Sequence, residues 1–176
     1  VGKNFDAANP YAHYTVEDLY ACLAKFGPRR KPGVRSDYSN LGLGLLGHVL
    51  AKVAGMDYEM LIKQRICKPL GMIDTTISLS EDQQRRLAIG HSGRKPVPNW
   101  DFPALAGAGA LRSSLRDMLR FLRANVETSS TPLATTLELA QEIQIERQYR
   151  FYRDFGCMAP LIVAGLAGLF AWQSFG

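Results

Sequence analysis

Between Leu41 and Ala54 the sequence LGLGLLGHVLAKVA sets apolar residues at helical spacing, with Leu41, Leu45, Leu46, Val49, Leu50 and Val53 along one side. The same stretch contains Gly42, Gly44 and Gly47. Each glycine costs a helix about 1 kcal/mol relative to alanine. The pattern therefore predicts a helix that needs another piece of backbone packed closely against it, because a missing Cβ is what permits such an approach. Gly55 supplies the stop. Just before the helix, Lys31-Pro32-Gly33-Val34-Arg35-Ser36-Asp37 leads through a Pro-Gly turn and a polar run into Tyr38-Ser39-Asn40. In extended backbone, side chains two apart share one side. A phenol and a carboxamide thus converge at the mouth of the helix, where they can move a proton and orient a polar substrate. The plainer role is structural, with Ser39 or Asn40 capping the helix and Tyr38 packed beneath it.

The rest of the chain punctuates cleanly. Residues 1–14 are polar, contain Asn9-Pro10-Tyr11 and read as loop. Thr15 with Asp18 is a capping-box variant that opens a helix through Val16, Leu19, Tyr20, Leu23 and Phe26, and Gly27-Pro28 closes it. Asp57 is expected to cap a helix from Tyr58 to about Ile66, with Met60, Leu61, Ile66 and Cys67 inward and Pro69 and Gly71 at its end. Residues 74–79 are β-branched and short enough for one strand. Ser80 with Gln83 is a second capping box, for a short helix to about Leu87. Residues 88–100 hold Gly90, Gly93, Pro96 and Pro98 and read as loop, with a strand near Ala88-Ile89 as the alternative. After the Ala/Gly run 106–110, Ser113 or Ser114 is expected to cap a helix with Asp117 in its first turn and Leu115, Met118, Leu119 and Leu122 inward. Thr131-Pro132 marks an N-cap for a helix through Leu133, Leu137 and Ala140, with Ile145 as its farthest reach. His48, inside the glycine-studded helix, reads as a packed structural histidine.

Composition narrows the classes. With 176 residues, 47% hydrophobic and 21% charged, the chain suits one domain with a core and is not a disordered segment. The net charge of +5 collects in Arg29-Arg30-Lys31 and Arg35 and in Arg112, Arg116, Arg120 and Arg123. No base-reading motif or interleaved aromatics accompany it, so a solvated basic face is expected and nucleic acid is not an expected partner. Cys22, Cys67 and Cys157 have no metal-ligand spacing, sit among apolar residues and read as buried thiols. No metal cluster, phosphate-cradling loop or G-x-S-x-G elbow appears, so neither a metal, a cofactor nor an α/β-hydrolase is expected.

Taken in order, Pro32-Gly33-Val34, Tyr38-Ser39-Asn40-Leu41-Gly42, Leu46-Gly47, Gly55-Met56-Asp57-Tyr58 and Ile66-Cys67-Lys68-Pro69-Leu70-Gly71-Met72-Ile73-Asp74-Thr75 resemble the serine β-lactamase and penicillin-binding-protein-like superfamily. The likeness is greatest to the branch of class C β-lactamases, DD-peptidases and related esterases. Ala106-Gly107-Ala108-Gly109-Ala110-Leu111-Arg112-Ser113-Ser114 with Asp117-Met118 resembles the family's glycine-rich active-site edge and the helix after it. The likeness covers about Tyr14 to about Glu142. It implies an α/β (α+β) serine β-lactamase/DD-transpeptidase-like fold, an antiparallel sheet flanked by helices plus a helical subdomain. This chain covers mainly the helical part and is expected to be mostly α.

The resemblance also implies a serine hydrolase that cleaves amides or esters through an acyl-enzyme. Its parts are a serine in S-x-x-K, the Y-x-N pair and a late K-T-G or H-x-G strand. By position, Tyr38 is implied as the base and later proton donor, a role that needs neighbouring cations because a tyrosine ordinarily titrates at about pH 10. Asn40 is implied to bond the substrate amide and the lysine, and Gly107, Ala108 and Gly109 to line the substrate cleft. Substrates implied are a β-lactam, a cell-wall peptide or an ester, and the implied compartment is periplasmic or extracellular.

Two departures stand out. No S-x-x-K precedes Tyr38, and the one such string, Ser92-Gly93-Arg94-Lys95, contains a glycine and is followed by Pro96, so it is not expected on a helix. His91-Ser92-Gly93 is a chance H-x-G. The chain, which begins at Val1, therefore reads as a fragment or processed product, 1–146 being a partial hydrolase domain without activity of its own. The second departure is residues 147–176, basic and aromatic at first, then uncharged from Met158 to Phe175. That run is near the lower limit of about 17 residues for a membrane span. A membrane segment, a buried core helix, a strand pair and a non-native tail are all open for it. The alternative to a hydrolase fragment is a degenerate, membrane-tethered homologue that binds a cell-wall ligand.

Overall fold

A computed structural model describes residues 6–27, 31 and 38–142. They form two units, 6–58 with 88–110 and 59–87 with 111–142. In the first, α1 (Val16–Lys25) opens on the full Thr15–Asp18 capping box. Leu19 is its buried anchor, while Tyr20 and Phe26 stay largely exposed. α2 (Asn40–Ala54) is capped by Ser39, whose hydroxyl accepts from the Gly42 N–H, and ends on Gly55 at φ 66°.

The close backbone approach expected of α2 is present. A Cβ on Gly44 would lie 2.6 Å from the Leu105 Cβ, and one on Gly47 would lie 2.8 Å from the Gly107 Cα. The partner is the run from Leu105 through the 3-10 turn Ala106–Ala108. This corrects the reading of the apolar side of α2. The buried positions are Gly44 and Gly47, whereas Leu46, Val49, Leu50 and Val53 are largely exposed. A helix face that meets another backbone must be the one without side chains, so the leucine and valine side faces elsewhere.

Residues 88–100, expected as loop, contain an antiparallel hairpin of β1 (Gly90–Ser92) and β2 (Lys95–Val97). Gly93 at φ 62° makes the tight turn possible. The S-x-x-K string spans this turn, with Ser92 paired to Lys95 across the hairpin and no helix beneath them.

α3 (Tyr58–Ile62), which belongs to the second unit from Glu59 on, runs through a π-helical turn at Lys63–Cys67 into α4 (Lys68–Leu70), which Gly71 ends at φ 68°. Ile62 and Cys67 are buried; Met60, expected inward, is 48% exposed. Burial pushes the Cys67 thiol up to about 11. Cys22 is only half-buried, and Cys157 lies outside the described residues. The expected strand at 74–79 reduces to one bridge, Thr76 with Arg112. α5 (Glu81–Arg85) carries the Ser80–Gln83 capping box.

α6 (Leu115–Val126) is capped by Ser114. Its inward face is Asp117, Phe121, Ala124 and Asn125, not the leucines, since Leu115, Leu119 and Leu122 are 77%, 56% and 43% exposed. Asp117 decides this rotation: it is fully buried and accepts from the Asp74 N–H, the Thr75 hydroxyl and Arg120. α7 (Ala134–Gln141) begins after Leu133, so Thr131 and Pro132 precede it rather than cap it. The 146/147 boundary and the 147–176 stretch lie outside the described residues. Among the described residues, no helix is long and apolar enough to cross a membrane.

Glu59 fastens the second unit from its other side. Its carboxylate accepts from the Thr76 hydroxyl, the Ile77 and Ser78 N–H groups and the Ser78 hydroxyl, and pairs with Lys63 at 2.7 Å. Burial alone raises such a carboxyl; the bonds from Lys63, Thr76, Ser78 and Ile77 outweigh it and hold Glu59 at about 2, below its ordinary 4.5. A depressed folded-state pKa contributes stability that is complete above the unfolded value and is lost as pH falls through the folded one. Urea unfolding should therefore show a steeper loss of stability between about pH 4.5 and 2 in the parent chain than in Glu59→Gln. Equal slopes would mean that Glu59 bears no share of it.

Candidate active site

The candidate site is built on the first turn of α2. Because Ser39 takes the capping bond to Gly42, the Asn40 side chain is released from that duty. Its carboxamide instead bridges two phenols. The Tyr38 hydroxyl donates to Asn40 Oδ1 at 2.8 Å, and Asn40 Nδ2 donates to the Tyr11 hydroxyl at 2.9 Å. Tyr38 is 80% exposed, so the structural alternative of a tyrosine packed beneath the helix fails, although its capping half holds for Ser39. Donating its hydrogen to Asn40 leaves the exposed phenol oxygen able to accept at the helix mouth.

Sequence reasoning missed Tyr11. Its ring stacks on Phe102, with centroids 4.8 Å apart, and meets Trp100 edge-on at 5.9 Å. Asn9 ties the same two loops together: its Nδ2 donates to Asp101 Oδ2 at 3.0 Å and its Oδ1 accepts from the Asp101 N–H at 2.9 Å. The only trace in the sequence was Asn9-Pro10-Tyr11 inside a polar loop, which signals a turn and not a partner some 90 residues away.

Gly107 and Ala108 are buried, and Gly109 is half-buried at φ 155°, a conformation that favours glycine. A Cβ on Gly107 would meet the Leu43 carbonyl at 2.6 Å, which places this run against the α2 backbone one turn beyond Asn40. His48 lies farther along α2, bonded to the Tyr20 hydroxyl at 2.8 Å. It lines a cavity of about 450 Å³ with Val16, Lys52, Met56 and Tyr58. Burial alone pushes the Tyr58 phenol up to about 12. Neither Tyr38 nor Asn40 lines that cavity. Among the described residues, no cluster of three His, Cys, Asp or Glu could hold a metal ion.

The family model described as Beta-lactamase matches residues 2–176, and the chain belongs to that family. It is 37% identical over 109 residues to the D-alanyl-D-alanine-carboxypeptidase/endopeptidase AmpH of Escherichia coli strain K12, covering 62% of this chain and 28% of that protein. It is 28% identical over 137 residues to a beta-lactamase of Yersinia enterocolitica, covering 78% of this chain and 35% of that one. The fold matches a class C beta lactamase from Rhodobacter sphaeroides with a TM-score of 0.60 and 32% identity, over 72% of this chain and 36% of the other. The chain therefore spans about a third of the length of the relatives it matches.

Proposed function

We propose that this chain supplies the Y-x-N part of a serine hydrolase that cleaves amide or ester bonds through an acyl-enzyme. Tyr38 takes and returns the proton of the attacking serine, and Asn40 hydrogen-bonds the substrate amide. The observation that carries this reading is the exposed Tyr38 hydroxyl bonded to the Asn40 carboxamide at 2.8 Å. The names of the relatives favour a β-lactam or a D-alanyl peptide as substrate, and a periplasmic or extracellular setting follows from the same reading. Gly107, Ala108 and Gly109 form the edge of the substrate cleft by keeping the backbone close to α2.

The chain is inactive by itself. Its one S-x-x-K string sits in a hairpin, where Ser92 and Lys95 are both exposed and pair across the two strands instead of lying one turn apart on a helix. Benzylpenicillin is accordingly expected to leave no covalent adduct in an intact-mass measurement while shifting the NMR signals of Tyr38 and Asn40 reversibly. An adduct that disappears in Tyr38→Phe would overturn the claim of inactivity. The second reading, a degenerate ligand-binding homologue, predicts the same contact and differs in having no serine-lysine pair anywhere in its open reading frame.

A further inference from the structure

We propose that Tyr11 is a positioning residue for the Tyr38–Asn40 pair: its hydroxyl fixes which end of the Asn40 carboxamide faces Tyr38. The inference rests on reading that pair as the substrate-engaging group. A carboxamide has two ends of similar shape and opposite hydrogen-bonding character. Rotating it by half a turn would put the amino group toward Tyr38 and change what the phenol can do with its proton. Here the amino end is held by the Tyr11 oxygen at 2.9 Å, which leaves the carbonyl end to accept from Tyr38 at 2.8 Å.

Tyr11 can act as a fixed point because its own place is over-determined. The ring is stacked on Phe102 and braced by Trp100. The reciprocal Asn9–Asp101 pair locks the 9–11 loop to the 100–102 loop. Ser39 completes the arrangement by capping α2, since an Asn40 drawn into capping could not bridge the two phenols. A polar group on a half-buried residue is thus aimed by an aromatic cluster distant in sequence, which is how a supporting shell holds a site to its working geometry.

Tyr11→Phe removes one oxygen and leaves the stack. In the full chain, the Asn40 Nδ2 protons are expected to exchange with water about tenfold faster or more in this variant. The benzylpenicillin-induced shifts at Tyr38 are expected to shrink, with the melting temperature little changed. A merely structural Tyr11 would lower the melting temperature and leave the Asn40 exchange rate alone, and that result would overturn the proposal. Should the variant fail to fold, the unsubstituted chain decides: a nuclear Overhauser contact between the Asn40 Nδ2 protons and the Tyr11 ring is required, and its absence sinks the idea. If benzylpenicillin moves neither Tyr38 nor Asn40 in the unsubstituted chain, the hydrolase reading fails, while the exchange result still reports on Tyr11 alone.

Discussion

Asp117→Ala is expected to destabilise the chain by about 2–4 kcal/mol, since two donors lose their buried acceptor at about 1–3 kcal/mol each. The carboxylate has no solvent exposure and accepts at 2.7 Å from the Asp74 N–H, at 2.9 Å from the Thr75 hydroxyl and at 3.2 Å from Arg120. Truncation leaves the Asp74 N–H without this acceptor and opens a void beside Thr75, which is itself only 2% exposed. Arg120 loses less, because it reaches water and also donates to the Gly71 carbonyl. Asp117→Asn keeps the volume and one acceptor oxygen, so its loss should be smaller. Urea unfolding of the three proteins checks the order. A loss under about 1 kcal/mol for the alanine variant, the scale of an exposed ion pair, would show that this network does not hold the second unit together.

Gly47→Ala should be the more instructive variant, because two effects of known sign compete in it. Alanine favours a helix over glycine by about 1 kcal/mol. Against that, the new methyl lies 2.8 Å from the Gly107 Cα, 3.0 Å from its N and 3.1 Å from the Tyr58 ring. Two of those neighbours are backbone and cannot rotate away, and overpacking of this kind costs about 1–3 kcal/mol, more where nothing can yield. The expected result is a net loss of about 2 kcal/mol, since backbone collision at both ends of the contact places the cost at or above the top of that range. Gly42→Ala is the control, because its nearest neighbours are Ser39 side-chain atoms at 3.5 and 3.6 Å, ordinary contact, and propensity should win there. Thermal unfolding of both should show opposite signs; a stabilised Gly47→Ala would remove the reason given for the glycines.

Those glycines also mark what could be read from the sequence. Gly44 and Gly47 announced a close backbone partner, and Leu105 with the 3-10 turn Ala106–Ala108 is that partner. The capping residues Thr15, Ser80 and Ser114 were legible because a cap is a local bond between residues three apart. Which face of α2 and α6 turns inward was not legible. Apolar periodicity assumes that burial follows hydrophobicity, and here a bare glycine surface and a buried carboxylate set the rotation instead. The hairpin at Gly90–Val97 was missed because its two glycines and Pro96 read as loop, although Gly93 is what closes the turn.

The candidate site divides in the same way. Tyr38 and Asn40 lie two residues apart, and their pairing follows from strand-like geometry before a helix. Tyr11 reaches them only through the packing of Phe102 and Trp100, which no local pattern encodes.

The Tyr38–Asn40 pair is proposed as the surface that meets substrate. A benzylpenicillin titration of the full chain, followed through the ring signals of Tyr38 and the side-chain amide of Asn40, measures this directly. Those two signals are expected to move together and saturably, ahead of His48 and the other residues of the 450 Å³ cavity. Signals that stay still at Tyr38 and Asn40 while those of the cavity move would contradict it.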